Sequence, residues 1–264
     1  MELPEELRSR LAGRTFEPIV GGESGALVWR CETDGSPPVY LKAAPLAAEL
    51  KLDQEAARLR WMREHDLPVP AVREYCNIGD AEFLLAGEVA GVAASDPQWA
   101  SNLPEVIAAL ADGLQSLHRI SIIDCPFDQR LTREIEEARD KVARGRVREE
   151  DFDASRAGRR AVDLFAELTA SAPSEEDLVF THGDYCLPNI ILHRNEASGQ
   201  VEVAGFIDCG RAGVADRYQD LALAARSIAY NHGAEWVPTF FRRYGLSHPQ
   251  HEKLHFYTLL DEFF

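Results

Sequence analysis

Cysteine is scarce in this 264-residue chain. The five present, Cys31, Cys76, Cys125, Cys186 and Cys209, are odd in number, widely spaced and without a C-x-x-C pair. That pattern speaks against a disulfide framework and against a zinc site, and leaves reduced thiols. Positive charge is scarce as well: 28 Lys and Arg stand against 44 Asp and Glu, a net charge of −16. Nucleic acid and anionic membrane both require clustered basic residues, so neither is an expected partner. The acidity either serves solubility alone or concentrates and steers a cationic ligand. No apolar run approaches the length that crosses a bilayer. Met1–Glu6 is acidic and lacks the basic-then-apolar order of a secretory leader, so the expected compartment is the cytoplasm. Internal repeats, low-complexity linkers and a Walker G-x-x-x-x-G-K-[ST] element are also missing. No obligate protein partner is expected.

What is present suits a globular enzyme, with 45% hydrophobic and 27% charged residues. The length suffices for one large domain or two lobes with cores of their own. Up to about residue 90 the chain reads as strand-rich with one helix. Phe16–Val20, a glycine-rich turn at Gly21–Gly25, and Ala26–Cys31 read as strand, turn, strand. Val39–Lys42 follows the Pro37-Pro38 break as a third strand, and Glu82–Leu85 is a fourth. Residues 48–65 are the expected helix, stopped by Pro68 and Pro70. Ala86–Gly91 is the expected hinge. The remainder reads mainly helical: Leu103, Val106, Ile107, Leu110, Leu114 and Leu117 follow the spacing of a buried helix face. Arg130 to Asp153 reads as a solvated helical insertion, and helices are expected at about 217–231, 234–244 and 249–261. Leu178–Phe180 and Val201–Ile207 read as strands, with Asn195–Gln200 the turn between them. The expected class is therefore α+β, divided at about 86–91 into domains 1–90 and 91–264.

The chemistry concentrates in Thr181-His182-Gly183-Asp184-Tyr185-Cys186-Leu187-Pro188-Asn189 and in Phe206-Ile207-Asp208-Cys209-Gly210. An Asp followed five positions later by an Asn is the spacing of a kinase catalytic loop. Asp184 would accept a hydrogen bond from a substrate hydroxyl and hold it in line with phosphorus; a lone Asp is otherwise a turn or cap residue. Asn189 and Asp208 offer hard oxygens of the kind magnesium prefers. His182 reads as a brace for the loop and not as a catalyst. Asp220 either anchors the loop from below or is a surface residue. Lys42 ends an apolar strand, where an ammonium needs partners; nucleotide phosphates and a helix glutamate would supply them. Helical phase prefers Glu55 over Lys51 or Gln54 as that glutamate. The Gly21–Ala26 turn would cover phosphates with backbone N–H groups, or is a common hairpin turn. The ending Leu259-Leu260-Asp261-Glu262-Phe263-Phe264 places acidic groups beside two aromatics. It either docks and grips a polyamine or frays as an acidic tail.

Taken together these segments resemble the aminoglycoside 3′-phosphotransferases that inactivate kanamycin and neomycin. The resemblance covers essentially the whole chain. It is most specific in His182–Asn189, in Phe206–Arg211 with Gly213–Asp220, and in Phe256-Tyr257 to Phe264. It implies a two-lobed protein-kinase-like fold, with a small β-rich N-lobe, a larger helical C-lobe, and nucleotide between them. It also implies ATP-dependent phosphorylation of the aminoglycoside 3′-hydroxyl, conferring antibiotic resistance, with ATP (or GTP) and Mg2+ as cofactors. Asp184 would then be the catalytic aspartate, and Asn189 and Asp208 the metal ligands. Lys42 with Glu55 would hold phosphates, Ser24 would lie over them, and Glu88 and Val89 would form the adenine-binding hinge. Ala86 replaces a larger gatekeeper and implies a roomier adenine pocket. Drug contacts would come from Asp151, Asp153, Arg226, Asp261, Glu262 and the carboxylate of Phe264. Ala154, Ser227 and Tyr230 stand where close relatives carry acidic drug contacts, which would weaken binding by roughly 1 kcal/mol each if exposed. The alternative activity is a kinase-like phosphotransfer to another small cationic alcohol or sugar. A catalytically silent binding protein is disfavoured because Lys42, Asp184, Asn189 and Asp208 are all present. An acetyl- or nucleotidyltransferase has no support in this loop.

Overall fold

The computed structural model describes residues 4–19, 26–48 and 51–264. The chain forms two compact units. The first runs to Gly91 and also takes in Ala204–Gly210; the second comprises Val92–Val203 and Arg211–Phe264. The short segment bearing Asp208 therefore belongs with the N-terminal unit, although it lies far along the chain.

In the first unit a short helix α1 (Glu5–Arg10) precedes strands β1 (Thr15–Ile19), β2 (Leu27–Thr33) and β3 (Ser36–Pro45). Helix α2 (Leu52–Glu64) and strands β4 (Val72–Ile78) and β5 (Ala81–Gly87) follow. The sheet order is β1-β2-β3-β5-β4, antiparallel throughout. In β3 the side chains alternate. Val39, Leu41 and Ala43 are buried in a core shared with Leu7, Leu11, Cys31, Ala81 and Phe83, so Tyr40 and Lys42 point to the opposite face. Pro37 and Pro38 lie inside β3 and do not break it. They fall beyond the last β3–β5 pair, Val39 with Gly87, where no ladder N–H is required of them. Helix α2 starts at Leu52, later than the spacing suggested, with extended Lys51 as its N-cap. The buried Glu82 carboxylate sets that start, accepting from Leu52 N at 2.7 Å and Asp53 N at 3.3 Å. The Val72–Ile78 strand was not anticipated. It is an edge strand, only partly buried, and lacks a strong alternation.

The second unit contains β6 (Val92–Ala93), α3 (Leu103–Leu117), α4 (Leu131–Ala143), α5 (Ala161–Ala170) and β7 (Leu178–Thr181). It continues with β8 (Ile190–Arg194), β9 (Val201–Phe206), β10 (Gly213–Asp216), α6 (Tyr218–His232), α7 (Val237–Tyr244) and α8 (His251–Asp261). Strand β9 carries the chain back into the first unit. Helix α3 buries Val106, Ile107, Leu110, Leu114 and Leu117, as its spacing required. Helix α4 is less solvated than its charge suggested, because Glu134 and Lys141 are buried with Leu131 and Ala138. Helix α5, with Ala161, Leu164 and Leu168 on its inner face, was not anticipated. The two strands expected to be joined by Asn195–Gln200 are not neighbours. Leu178–Thr181 pairs with Gly213–Asp216, and the turn instead joins β8 to β9. This pairing sets the loop after Thr181 beside Arg211 and Gly213. Among the described residues no helix is long and apolar enough to cross a membrane.

Candidate active site

In the first unit, Lys42 Nζ lies 2.7 Å from Glu55 Oε1 and 3.0 Å from Asp208 Oδ1. Strand alternation aims Lys42, and the Glu82 cap fixes the first turn of α2 on which Glu55 is buried. Burial would lower the lysine's proton affinity; the Glu55 and Asp208 carboxylates outweigh it and hold the ammonium above its ordinary range. Asp208 has φ of 59°. That left-handed conformation is uncommon outside glycine, though Asp tolerates it better than most, and it often marks a functional turn. The segment is seated by Phe206 N donating to Pro68 O at 2.8 Å. The approach is so close that a Cβ on Gly205 would sit 2.3 Å from that oxygen and 2.8 Å from Val89 Cγ1. The Glu88 carboxylate accepts from Arg30 at 3.2 Å and Tyr40 at 3.4 Å, tying the chain after β5 to the sheet. Ser24 and the glycine turn around it lie outside the described residues.

In the second unit, Asp220 is fully buried and accepts three hydrogen bonds. They come from His182 N at 2.8 Å, Gly183 N at 2.9 Å and His118 Nε2 at 3.0 Å. Asp220 is thus the anchor of the loop and not a surface residue. His118 Nδ1 in turn faces the Tyr244 hydroxyl at 2.7 Å. Gly183 has φ of 82°, and a Cβ there would fall 2.2 Å from Arg211 O, so the loop can pass only as glycine. His182 is buried, and its Nδ1 accepts from Asp184 N at 3.2 Å, a bracing role. Leu187 N donates to Ser227 Oγ at 2.9 Å. Ser227 is therefore a buried support for the loop.

Asn189 Nδ2 donates to Asp184 Oδ2 at 2.7 Å and to Asp184 O at 3.2 Å, which orients the amide oxygen away from the aspartate. Burial raises the proton affinity of Asp184, and the Asp261 carboxylate adds to it; the Cys186 thiol, His182 and Arg211 work against them. The Cys186 thiol is pushed up by burial and by the Asp184 and Asp261 charges.

The C-terminal residues are docked. Phe263 is buried. The Phe264 ring lies between Arg211, 4.3 Å from its centroid, and Lys141 at 4.4 Å. Both expected acidic contacts already have partners. Asp261 binds Arg211 at 3.1 Å and Arg226 at 2.5 Å. Glu262, its side chain 4% exposed, binds Arg156 at 2.9 Å and accepts from Asp153 N at 3.0 Å. Arg211 also binds buried Glu134 at 3.1 Å. Asp151 is apart from this network, exposed and paired with Arg148 at 2.9 Å. Tyr230 is 89% exposed. Arg156, Glu134, His118 and Glu82 carried no sequence signal, because their partners lie 29 to 126 residues away. Arg211 stood inside a quoted motif without an assigned role.

Among the described residues no three or more His, Cys, Asp or Glu side chains converge on a metal position. Magnesium suits that condition, since it takes one or two protein oxygens and completes its shell with phosphates and water. The Asn189 amide oxygen in the second unit and the Asp208 carboxylate in the first are each oxygen donors of that hard type.

Residues 15–257 match the model of the phosphotransferase enzyme family. The chain is 39% identical over 268 residues to an aminoglycoside 3′-phosphotransferase of Streptomyces fradiae, with 98% of each covered. It superposes on a crystal structure of an aminoglycoside-3′-phosphotransferase of type VIII with a TM-score of 0.87 at 38% identity, covering 98% of this chain and 97% of that one. It also matches a Streptomyces rimosus aminoglycoside phosphotransferase, APH(3″)-Id, in complex with ADP and streptomycin. There the TM-score is 0.79 and the identity 30%, over 97% of this chain and 95% of that one.

Proposed function

The chain belongs to the aminoglycoside 3′-phosphotransferase family, with its protein-kinase-like fold, and on that premise we propose that it transfers the γ-phosphoryl group of ATP to the 3′-hydroxyl of kanamycin- and neomycin-type aminoglycosides. The observation that carries the reading is the Asp184–Asn189 pair on a loop anchored by buried Asp220. Phosphoryl transfer asks little covalent chemistry of a protein and much positioning. Asp184 accepts the hydrogen bond of the acceptor hydroxyl and takes its proton as the new P–O bond forms and the bond from the γ-phosphorus to the departing ADP breaks. Lys42, oriented by Glu55, binds nucleotide phosphate oxygens, and the chain at Glu88 and Val89 receives the adenine. Asn189 and Asp208 would hold magnesium, which when bound neutralises phosphate charge. Asp151, Asp153, Asp261, Glu262 and the Phe264 carboxylate would supply negative charge to the cationic acceptor.

Identities of 39% and 38% to two Streptomyces aminoglycoside 3′-phosphotransferases, against 35% to a streptomycin 3″-kinase, support the 3′-hydroxyl over the 3″-hydroxyl. The test is ADP release with Mg-ATP, comparing kanamycin with tobramycin, which lacks the 3′-hydroxyl. Turnover with kanamycin alone supports the proposal. Turnover with both moves the target to another hydroxyl, and turnover with streptomycin alone moves it to the 3″ class.

A further inference from the structure

Asp261 is the acidic residue nearest in influence to Asp184, yet both its oxygens are engaged by arginines. The two arginines are held differently. Arg211 has a second carboxylate partner in buried Glu134 and its guanidinium stacks on Phe264. Arg226 has Asp261 as its only carboxylate partner among the described residues, lies beside the Cys186 thiol, and keeps its side chain 32% exposed. Arg226 also borders an open pocket of about 450 Å³. Ala222, Ala225 and Leu254 give that pocket apolar surface, and Asp153 lies on its lining. The methylene stem of an arginine can lie on such apolar surface while its guanidinium reaches a carboxylate.

We infer that Arg226 is the resident counter-ion of Asp261, displaced into the neighbouring pocket when a substrate ammonium takes its place. The inference rests on the acceptor being a polycationic aminoglycoside. It assigns Arg226 the opposite role to a drug contact. Arg211 stays on the other Asp261 oxygen, so the exchange at Arg226 never leaves the carboxylate without a counter-ion. Substrate binding is then an exchange of one cation for another. A ligand too weakly cationic to compete leaves Arg226 in place, so the residue sets specificity as well as affinity.

The test is steady-state kinetics with kanamycin and Mg-ATP for the wild type, Arg226→Gln, Arg226→Lys, Asp261→Asn and the Arg226→Gln/Asp261→Asn double variant. The expected result is a KM about three- to fivefold lower in Arg226→Gln, the size of a partly exposed ion pair. Arg226→Lys should restore the wild-type KM, and the Gln effect should vanish in the Asp261→Asn background. A merely structural role would not lower KM. An unchanged or raised KM in Arg226→Gln overturns the inference. Should the wild type fail to turn over kanamycin, the acceptor assignment falls, and the exchange is read directly by NMR. The Arg226 Nε–H resonance, assigned by its loss in Arg226→Lys, is followed during spermidine titration. Movement in the wild type but not in Asp261→Asn upholds the exchange; no movement in the wild type overturns it.

Discussion

Replacing Asp220 with Ala would remove three acceptors' worth of bonding from a site with no solvent access. His182 N, Gly183 N and His118 Nε2, at 2.8, 2.9 and 3.0 Å, would each lose their partner. A buried donor left unpaired costs roughly 1–3 kcal/mol, so three of them sum to about 3–9 kcal/mol, toward the low end if water enters the cavity. For a domain of this size each kcal/mol moves the melting temperature by about 2–4 °C, which places the expected fall at about 6–36 °C, toward the low end if water enters. Asp220→Asn should fall between the wild type and Ala, because its amide keeps one acceptor and turns an NH2 toward another donor. Calorimetric unfolding measures the stability term, and ADP release with kanamycin measures the functional one. Displacing Asp184 by even an ångström is expected to lower kcat about 100-fold. A loss below about 1 kcal/mol, with turnover preserved, would falsify the claim that Asp220 holds the loop.

Four further outcomes are expected. Asp184→Asn should abolish most turnover while raising the melting temperature at neutral pH. Burial and Asp261 raise the folded-state pKa of Asp184 above its ordinary value, so the unfolded chain loses this proton first and stability falls as pH rises between the two values; a lower melting temperature contradicts this. The acid limb of kcat against pH should lie above the usual aspartate range, since a protonated Asp184 cannot accept from the hydroxyl, and should move down in Asp261→Asn; an unmoved limb assigns it to another group. Glu262→Ala leaves Arg156 buried without its partner and should cost about 3–5 kcal/mol, whereas an apolar Glu262→Leu/Arg156→Met pair should recover much of that in urea unfolding. Deleting Phe264 removes the ring held between Arg211 and Lys141 and shifts the terminal carboxylate, so the kanamycin KM should rise; an unchanged KM separates the tail from the acceptor.

Much of this protein was legible before its fold was known, wherever the information is local. The alternation of Val39, Leu41 and Ala43 aims Lys42 without reference to anything distant. The spacing from Asp184 to Asn189 closes within a single loop, as their 2.7 Å contact confirms. Helix α3 follows from its own apolar period. Strands β4 and β10 and helix α5 escaped because they are short or half-exposed, so their patterns are weak. The turn at Asn195–Gln200 was read correctly as a turn but joined to the wrong partner, since strand pairing depends on the path of the whole chain.

The sequence by itself determined the family and the reaction class and nominated the residues proposed for transfer, because these reside in short motifs whose chemistry needs fixed spacings. Only the tertiary structure decided how the acidic tail is used. Asp261 meets Arg226 across 35 residues, Arg211 meets Glu134 across 77, and Arg156 meets Glu262 across 106. A carboxylate in a sequence is only a charge. Whether it is open to a cation or already matched by an arginine depends on which distant side chains folding brings within 3 Å, and no local pattern encodes that.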